Sequence, residues 1–179
     1  IPRIDLFPNH CYSFPLTKRS PFATVLTDYG CPFRCSFCLM STLGYKYRTI
    51  ENVMAELHSL SRQGFREIYF DDQTFGAVKN RAIELCHRLI KEKFYFSWSC
   101  WSRVDIMDED LLRLMKESGC HTIMFGIETS RDDILEQEKK GYTKEDVLKA
   151  VSLCQKLKIR SLGTFILGLP GETKKSCLE

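Results

Sequence analysis

The sequence predicts an α/β fold in which parallel strands curl toward a barrel. Short apolar runs alternate with amphipathic segments from Ala23 onward, a pattern typical of repeated βα units around a parallel sheet. Unusual polar residues follow run after run, and a barrel builds its catalytic face at the carboxyl ends of its strands. No GxGxxG sequence follows any of these runs, so an open doubly wound sheet with a phosphate loop has no support.

The composition is that of one domain with its own core. The chain has 179 residues, of which 44% are hydrophobic, enough to bury a core without disulfides or metals. Its net charge of +3 comes from 26 basic and 23 acidic residues that are intermixed, which does not indicate a nucleic-acid-binding surface. No apolar run approaches the roughly 18 residues of a membrane span, and we expect a protein of the reducing cytoplasm.

Residues 1–21 are predicted to be a linker from an upstream domain, and residues 22–179 the core domain. Three of the six prolines fall in this linker: Pro2, Pro8 and Pro15. Its apolar residues are too many for a free tail, so we expect it to lie against the core. The chain starts with Ile1, and residues 172–179 read as the start of a helix that is then cut, so the sequence is interpreted as a fragment.

Amphipathic segments and polar caps predict the helices. Four residues are predicted to cap helices at their N-termini: Thr49, Asp108, Ser130 and Thr143. The helix after Ser130 is predicted to begin at Arg131. Three glycines are predicted to end or separate helices: Gly64, Gly119 and Gly141.

Five strands are predicted between these helices, over residues 23–26, 68–70, 95–101, 122–125 and 162–167. The fifth is a near-continuous apolar run. Parallel strands that are covered on both faces have this composition, so we expect both of its faces to be buried.

Three cysteines follow the first strand at the spacing CxxxCxxC: Cys31, Cys35 and Cys38. A loop this short brings three thiolates together around one face of an iron–sulfur cube, each binding one iron. The fourth iron then has no protein ligand nearby, and an outside molecule can coordinate it. The motif therefore predicts a metal centre with one open position.

The same cysteines suit two other kinds of site less well. A structural zinc ion needs four ligands, and no second CxxC and no HxxxH occurs in the chain. A disulfide framework suits a short secreted chain, whereas the nine cysteines here are an odd number. An iron–sulfur electron-transfer module or a zinc-binding interaction module is the alternative to an enzyme.

The cysteine spacing, with Phe37 directly before the third cysteine, resembles the signature of the radical S-adenosylmethionine (radical SAM) superfamily. The resemblance implies a partial (β/α)6 TIM-type barrel, here truncated after about strand five. It also implies a 4Fe-4S cluster and S-adenosylmethionine, which is cleaved to a 5′-deoxyadenosyl radical that acts on a small-molecule substrate. An external electron donor such as flavodoxin or ferredoxin, and sensitivity to oxygen, are further implications. The sequence identifies no catalytic residue.

The resemblance assigns cofactor contacts to residues after strands one, two and three. Phe37 lies in the cluster loop, and Asp71 and Asp72 occupy the position that contacts the cofactor's amine, where many members have Gly-Gly-Glu. The alternative is that these two aspartates only cap the following segment. Arg103 is assigned either to the cofactor's carboxylate or to a surface ion pair with Asp105.

Further contacts are assigned after strands four and five. Glu128, with Ser130 two residues on, lies where the family contacts the ribose hydroxyls; the alternative for Glu128 is an electrostatic interaction with the following helix N-terminus. Ile166 and Gly168 lie where the family's backbone contacts the adenine, and glycine permits this close approach.

The Asp-Asp variant and the connector at residues 4–8 resemble the branch of the superfamily whose members often carry an upstream cobalamin-binding domain. This likeness implies cobalamin bound by a domain before residue 1, and methyl transfer or ring formation as the reaction. A tRNA-modifying methylthiotransferase-like enzyme is the alternative within the superfamily.

Overall fold

The computed structural model describes residues 2–8 and 11–178, so residues 1, 9, 10 and 179, at the two ends of the chain and within the predicted linker, lie outside the described part. The strands are β1 (Phe22–Val25), β2 (Asp28–Gly30), β3 (Tyr45–Tyr47), β4 (Glu67–Phe70), β5 (Ser97–Ser102), β6 (Cys120–Glu128) and β7 (Arg160–Phe165). The α-helices are α1 (Ile50–Arg62), α2 (Lys79–Lys91), α3 (Glu109–Glu117), α4 (Asp132–Gln137) and α5 (Lys144–Lys156).

The main sheet has five parallel strands in the order β1-β4-β5-β6-β7. Helices connect successive strands, and the strand order follows the chain without a reversal, as in a barrel. Within the described residues β1 and β7 are open edges. The prediction of a partial TIM-type α/β barrel is therefore confirmed. A separate antiparallel pair, β2 and β3, was not predicted, and it carries the cysteine loop.

The core lies between the sheet and its helices. An aromatic group at its centre joins β4, the following loop and β5: the Phe70 and Trp98 rings meet edge-on at 5.3 Å, and Phe75 lies 5.2 Å from Trp98. The Trp98 indole donates to the Ser118 carbonyl oxygen at 3.0 Å, which satisfies its N–H inside the core. These contacts fix β5 against α3, and β5 carries Arg103 at its end.

The linker also contacts the core, because Phe14 stacks on Tyr69 of β4 with ring centroids 4.9 Å apart. Among the described residues, no helix combines the length and the apolar character needed to cross a bilayer. The helix start predicted at residues 172–179 is a 3-10 turn at Ser176–Leu178. The boundary between linker and core remains a prediction.

Three of the four predicted caps are confirmed. The Thr49, Asp108 and Thr143 side chains each accept a hydrogen bond from the first turn of their helix, and Thr143 forms a full capping box with Asp146. The Ser130 prediction was wrong: α4 begins at Asp132 without a side-chain cap. Instead, the Thr129 hydroxyl oxygen accepts a hydrogen bond from the Arg131 amide at 3.3 Å and closes the turn before α4.

The strand boundaries differ most at β6, which starts two residues earlier and ends three residues later than predicted. β7 begins two residues before the predicted start and ends at Phe165. The expectation that both faces would be buried was wrong, because Phe165 is 59% and Leu167 74% exposed. β7 has β6 as its only neighbour in the described residues, so apolar composition here does not mean burial. β5 also starts two residues later than predicted, and Tyr95 is 77% exposed in the irregular segment before it.

The turn between α3 and β6 gives a testable prediction about stability. Gly119 has a φ of +107°, and a Cβ there would lie 2.1 Å from the Phe96 carbonyl oxygen. Gly64 has a φ of +87° with open space around it, so it is a matched control. We expect Gly64→Ala to lower the free energy of unfolding by about 1 kcal/mol, from the left-handed conformation alone. Gly119→Ala should lower it by at least twice as much, measured by urea denaturation; equal losses would contradict the backbone clash.

Candidate functional site

A cavity of about 260 Å³ lies at the carboxyl ends of the strands. Eight predicted site residues line it: Cys31, Cys35, Phe37, Cys38, Asp71, Asp72, Arg103 and Glu128. Three predicted residues are not among its lining: Ser130, Ile166 and Gly168. The structure thus brings together residues from the cysteine loop, β4, β5 and β6, as expected when parallel strands end at one edge.

The cysteine loop is closed at its base by a glycine contact. A Cβ on Gly30 would lie 1.9 Å from the Gly44 carbonyl oxygen, so only glycine allows β2 and β3 to pair this closely. The Ser36 amide donates to the Glu138 carbonyl oxygen at 3.1 Å, and the two side chains are hydrogen-bonded. The loop is therefore anchored to the segment between α4 and α5.

All three loop cysteines are half-buried free thiols. Among the described residues no three thiol, imidazole or carboxylate groups are arranged to hold a single metal ion. An iron–sulfur cube spreads its thiolates over three separate irons, whereas zinc draws four ligands to one point. The donor set of three thiolates on one cavity wall therefore fits a cluster with an open iron.

Asp72 is turned toward the start of the hairpin. Its Oδ1 accepts from the Thr27 and Asp28 amides at 2.6 and 3.2 Å, and its Oδ2 accepts from the Thr27 hydroxyl at 2.6 Å. This carboxyl group therefore caps the preceding hairpin, whereas the sequence suggested a cap on the following segment as the alternative. Burial raises the pKa of Asp72 to about 6, although the bonds from Thr27 act against it.

Asp28 lies beside this cap and is 5% exposed. Tyr45 donates to its Oδ2 at 2.9 Å. Burial and, to a smaller extent, the charge of Asp72 raise the pKa of Asp28 to about 7. Asp71, by contrast, remains at the cavity wall, where it interacts with Tyr69.

Glu128 adopts a left-handed backbone conformation, with a φ of +68°. The β6–β7 register shifts between Gly126 and Glu128, and this irregularity turns the carboxylate into the cavity. A Cβ on Gly126 would lie 2.5 Å from Glu128 Oε1, so the glycine makes room for the side chain. Backbone strain of this kind is concentrated at functional sites. The partner of Glu128 is Lys140, whose Nζ donates to Oε1 at 3.0 Å, and not the α4 N-terminus.

Lys140 was missed by the sequence analysis. It lies in a charged run before Gly141 that reads as a solvated surface, yet it is 5% exposed. Its ammonium group lies 5.6 Å from the Phe37 ring and 5.2 Å from the Tyr142 ring. Burial acts to lower the pKa of Lys140, but Tyr142, Glu128 and Cys35 together hold it above its usual value. A lysine directly before a helix-separating glycine is the one local signal that could have drawn attention to it.

Arg103 forms the ion pair with Asp105 that the sequence analysis weighed, at 2.9 Å. Arg103 is buried, at 7% exposed, whereas Asp105 is exposed, so the pair reaches from the cavity to the surface. The Arg103 Nη1 atom also lies 3.8 Å from the Cys35 sulfur. The guanidinium is thus engaged by groups of this chain, and its assignment to a cofactor carboxylate remains a prediction.

The residues after β7 support the cavity indirectly. The Ile166 amide donates to the Glu128 carbonyl oxygen at 2.9 Å and continues the strand pairing. The Gly168 amide donates to Glu172 at 2.7 Å, with open space beside the glycine. Adenine contacts at Ile166 and Gly168, and a ribose contact at Ser130, remain predictions.

Comparison with known proteins gives evidence on the family of this chain. The family described as the Radical SAM superfamily matches residues 25–179. An uncharacterized methyltransferase of Pyrococcus horikoshii is 40% identical over 179 residues, covering 98% of this chain and 38% of that protein. The anaerobic magnesium-protoporphyrin IX monomethyl ester cyclase of Rubrivivax gelatinosus is 32% identical, covering 84% of this chain and 28% of that protein. The chain spans less than two fifths of the length of these relatives.

A solved structure shares the fold. The radical S-adenosylmethionine methyltransferase TsrM of Kitasatospora setae, with cobalamin and a [4Fe-4S] cluster bound, superposes with a TM-score of 0.79. The match covers 87% of this chain and 32% of that chain, at 24% sequence identity. At this identity the likeness shows the common fold.

The raised pKa values of the buried carboxyl groups Asp28 and Asp72 lead to a prediction of how stability depends on pH. Because the pKa of Asp28 is raised to about 7, the folded protein holds a proton between about pH 4 and pH 7 that the unfolded chain has released. This group therefore favours folding at low pH, and its contribution falls as pH rises through that window. Asp28→Asn should make this slope shallower, with about 1.4 kcal/mol of pH-dependent stability lost for each unit of pKa shift that is removed; the slope that remains comes from Asp72, whose pKa is also raised, to about 6.

The measurement is the free energy of urea unfolding at several pH values between 4 and 8, compared between wild type and variant. Asp110→Asn on the exposed face of α3 is the control and should leave the wild-type slope. An unchanged slope in Asp28→Asn would show that this carboxyl group does not hold the proton.

Proposed function

Because this chain belongs to the radical SAM superfamily, we propose that it is the core of an enzyme that holds a 4Fe-4S cluster through Cys31, Cys35 and Cys38. Membership confirms the predicted family, the prediction of an enzyme, and the iron–sulfur cluster and S-adenosylmethionine as its cofactors. The observation that carries the proposal is one cavity lined by three free thiols and by five of the eight predicted cofactor contacts. When bound, these cofactors supply one-electron cleavage of a carbon–sulfur bond.

The residues of the chain bind and orient. The three thiolates would ligate the cluster irons. The hydrogen bond between Ser36 and Glu138 anchors the loop and keeps the thiolates on one wall of the cavity. Glu128 offers a carboxylate to the ribose hydroxyls, and Asp71 offers one to an ammonium group. Phe37 and Trp101 line the same cavity and give it apolar surface.

The wider expectations belong to the same proposal. The substrate is a small molecule, an external donor such as flavodoxin or ferredoxin supplies the electron, and the loaded protein is sensitive to oxygen. All nine cysteines of the chain are free thiols, which supports a reducing, cytoplasmic location.

Methyl transfer with cobalamin is the reaction we propose for the whole protein. The Asp71-Asp72 variant motif supports it, as do a methyltransferase relative of 40% identity and a methyltransferase of the same fold solved with cobalamin bound. The cobalamin domain would precede residue 1. Ring formation, as in the cyclase relative, is the second candidate.

Reading the coding sequence upstream of Ile1 tests whether a cobalamin domain is present. A start codon within a few tens of residues leaves no room for a domain of about 100 residues and would contradict the proposal.

Anaerobic reconstitution tests the cluster ligands. Wild-type protein should bind about four irons per chain with equal acid-labile sulfide, because three thiolates hold one cube. Alanine at any one of Cys31, Cys35 or Cys38 should reduce the iron content severalfold and abolish cofactor cleavage. Cys100→Ala is the matched control, because Cys100 is a buried core thiol away from the loop, and it should keep the wild-type iron content.

Two results would overturn the ligand assignment. Stoichiometric zinc without sulfide would identify a structural metal site. Loss of the cluster in Cys100→Ala would point to a four-thiolate electron carrier, in which no iron is open.

Glu128 is predicted to contribute directly to cofactor affinity. Glu128→Gln keeps the size of the side chain and removes its charge, so the affinity for S-adenosylmethionine should fall by about 1 to 2 kcal/mol. Calorimetry on protein reconstituted with the 4Fe-4S cluster measures this affinity. Glu136→Gln, on the exposed face of α4, is the control. If wild type and Glu128→Gln bind S-adenosylmethionine equally well, Glu128 does not contact the cofactor and its role is the ion pair with Lys140.

A further inference from the structure

A buried guanidinium faces the central cysteine of the loop. Arg103 directly follows β5, is 7% exposed, and places its Nη1 atom 3.8 Å from the Cys35 sulfur. The contact joins residues 68 positions apart in the chain. The nearest polar contact of Cys31 is a neutral one, the Thr74 hydroxyl at 3.5 Å. The cationic donor therefore sets Cys35 apart from Cys31.

The rest of the guanidinium is occupied, which fixes the direction of Nη1. Nε and Nη2 donate to the two oxygens of Asp105 at 3.0 and 2.9 Å, and Nη2 also donates to the Lys140 carbonyl oxygen. The planar group lies over the Phe33 ring at 3.9 Å. A guanidinium has this fork of donors and an ammonium does not, so lysine could not make the same set of contacts.

We propose that Arg103 is a positioning residue that donates an N–H···S hydrogen bond to Cys35 and thereby raises the reduction potential of the cluster that Cys35 ligates. This inference rests on the cluster ligation proposed above. Hydrogen bonds to the ligating sulfurs and the local net charge both set the potential of an iron–sulfur centre. Reduction adds negative charge to the cluster and its thiolates. A cationic donor on one sulfur stabilises that added charge, so the reduced form gains more than the oxidised form.

The position of Asp105 distinguishes a hydrogen bond from a simple effect of net charge. Asp105 neutralises the guanidinium on the edge away from Nη1, so the pair as a whole carries no net charge. The Arg103–Asp105 pair therefore acts as a dipole whose positive end, the Nη1 group, faces the Cys35 sulfur. Removing both members of the pair leaves the net charge unchanged and still removes the N–H group from the sulfur.

The test is a redox titration of the anaerobically reconstituted protein, followed by the electron paramagnetic resonance signal of the reduced cluster. In Arg103→Met, the ratio of reduced to oxidised cluster at a fixed potential should fall about tenfold, which corresponds to a midpoint about 59 mV more negative for one electron. The double variant Arg103→Met with Asp105→Asn should shift in the same direction. Arg113→Met, which removes an exposed arginine paired with Glu109 on α3, is the control and should match wild type.

Iron and sulfide content separate the outcomes. Variants that bind the full cluster at the wild-type potential overturn this inference and leave the proposed function standing, whereas wild-type protein that binds no cluster overturns the proposed function first. A double variant that returns to the wild-type potential assigns the effect to net charge and refutes the hydrogen bond. If Arg103→Met does not take up the cluster, Arg103→Lys keeps the charge beside Asp105 without the guanidinium fork; it should also shift to a more negative potential, and an unshifted value refutes the proposal.

Discussion

The site depends on the contact between the cysteine loop and the segment that joins α4 to α5. Ser36 is bonded to Glu138 through backbone and side chain, and Arg103 bonds to the Lys140 carbonyl oxygen while facing Cys35. Three elements that are far apart in the chain are thereby held at one place. Because this segment supplies both an anchor for the loop and the ammonium partner of Glu128, its position determines the shape of the cavity.

A second restraint acts on the opposite side of the loop. Asp72, at the end of β4, takes three hydrogen bonds from Thr27 and Asp28 at the base of the hairpin. A buried carboxyl group with these partners fixes where the hairpin leaves the sheet, because leaving donors unpaired in the core is costly. The hairpin is thus restrained at its base by β4 and near its tip by the α4–α5 segment. Such double restraint places three sulfurs without needing regular structure between them.

Features that depend on neighbouring residues could be predicted from the sequence, and those that depend on distant pairing could not. Thr49, Asp108 and Thr143 were identified as caps because a cap is a contact within four residues. The order of the strands was equally accessible. The burial of Lys140 was not, because its charge is balanced by a residue on β6 that no local pattern connects to it. The exposure of Phe165 was missed for a related reason: an apolar strand at a sheet edge has the same composition as one at the centre.

The charges around the cavity are arranged in balance, and this favours an enzyme over an electron carrier. A carrier needs four thiolates and a closed shell around its cluster. Here the loop offers three thiolates, and beside them lie a strained carboxylate, Glu128, and two cations that already have carboxylate partners. Holding Glu128 in a left-handed conformation destabilises the fold by about 1 to 3 kcal/mol, and a carrier gains nothing from it. A site that binds a second molecule beside the thiols does gain from this strain, because the left-handed backbone brings the Glu128 carboxylate and its Lys140 partner to the wall of the same cavity.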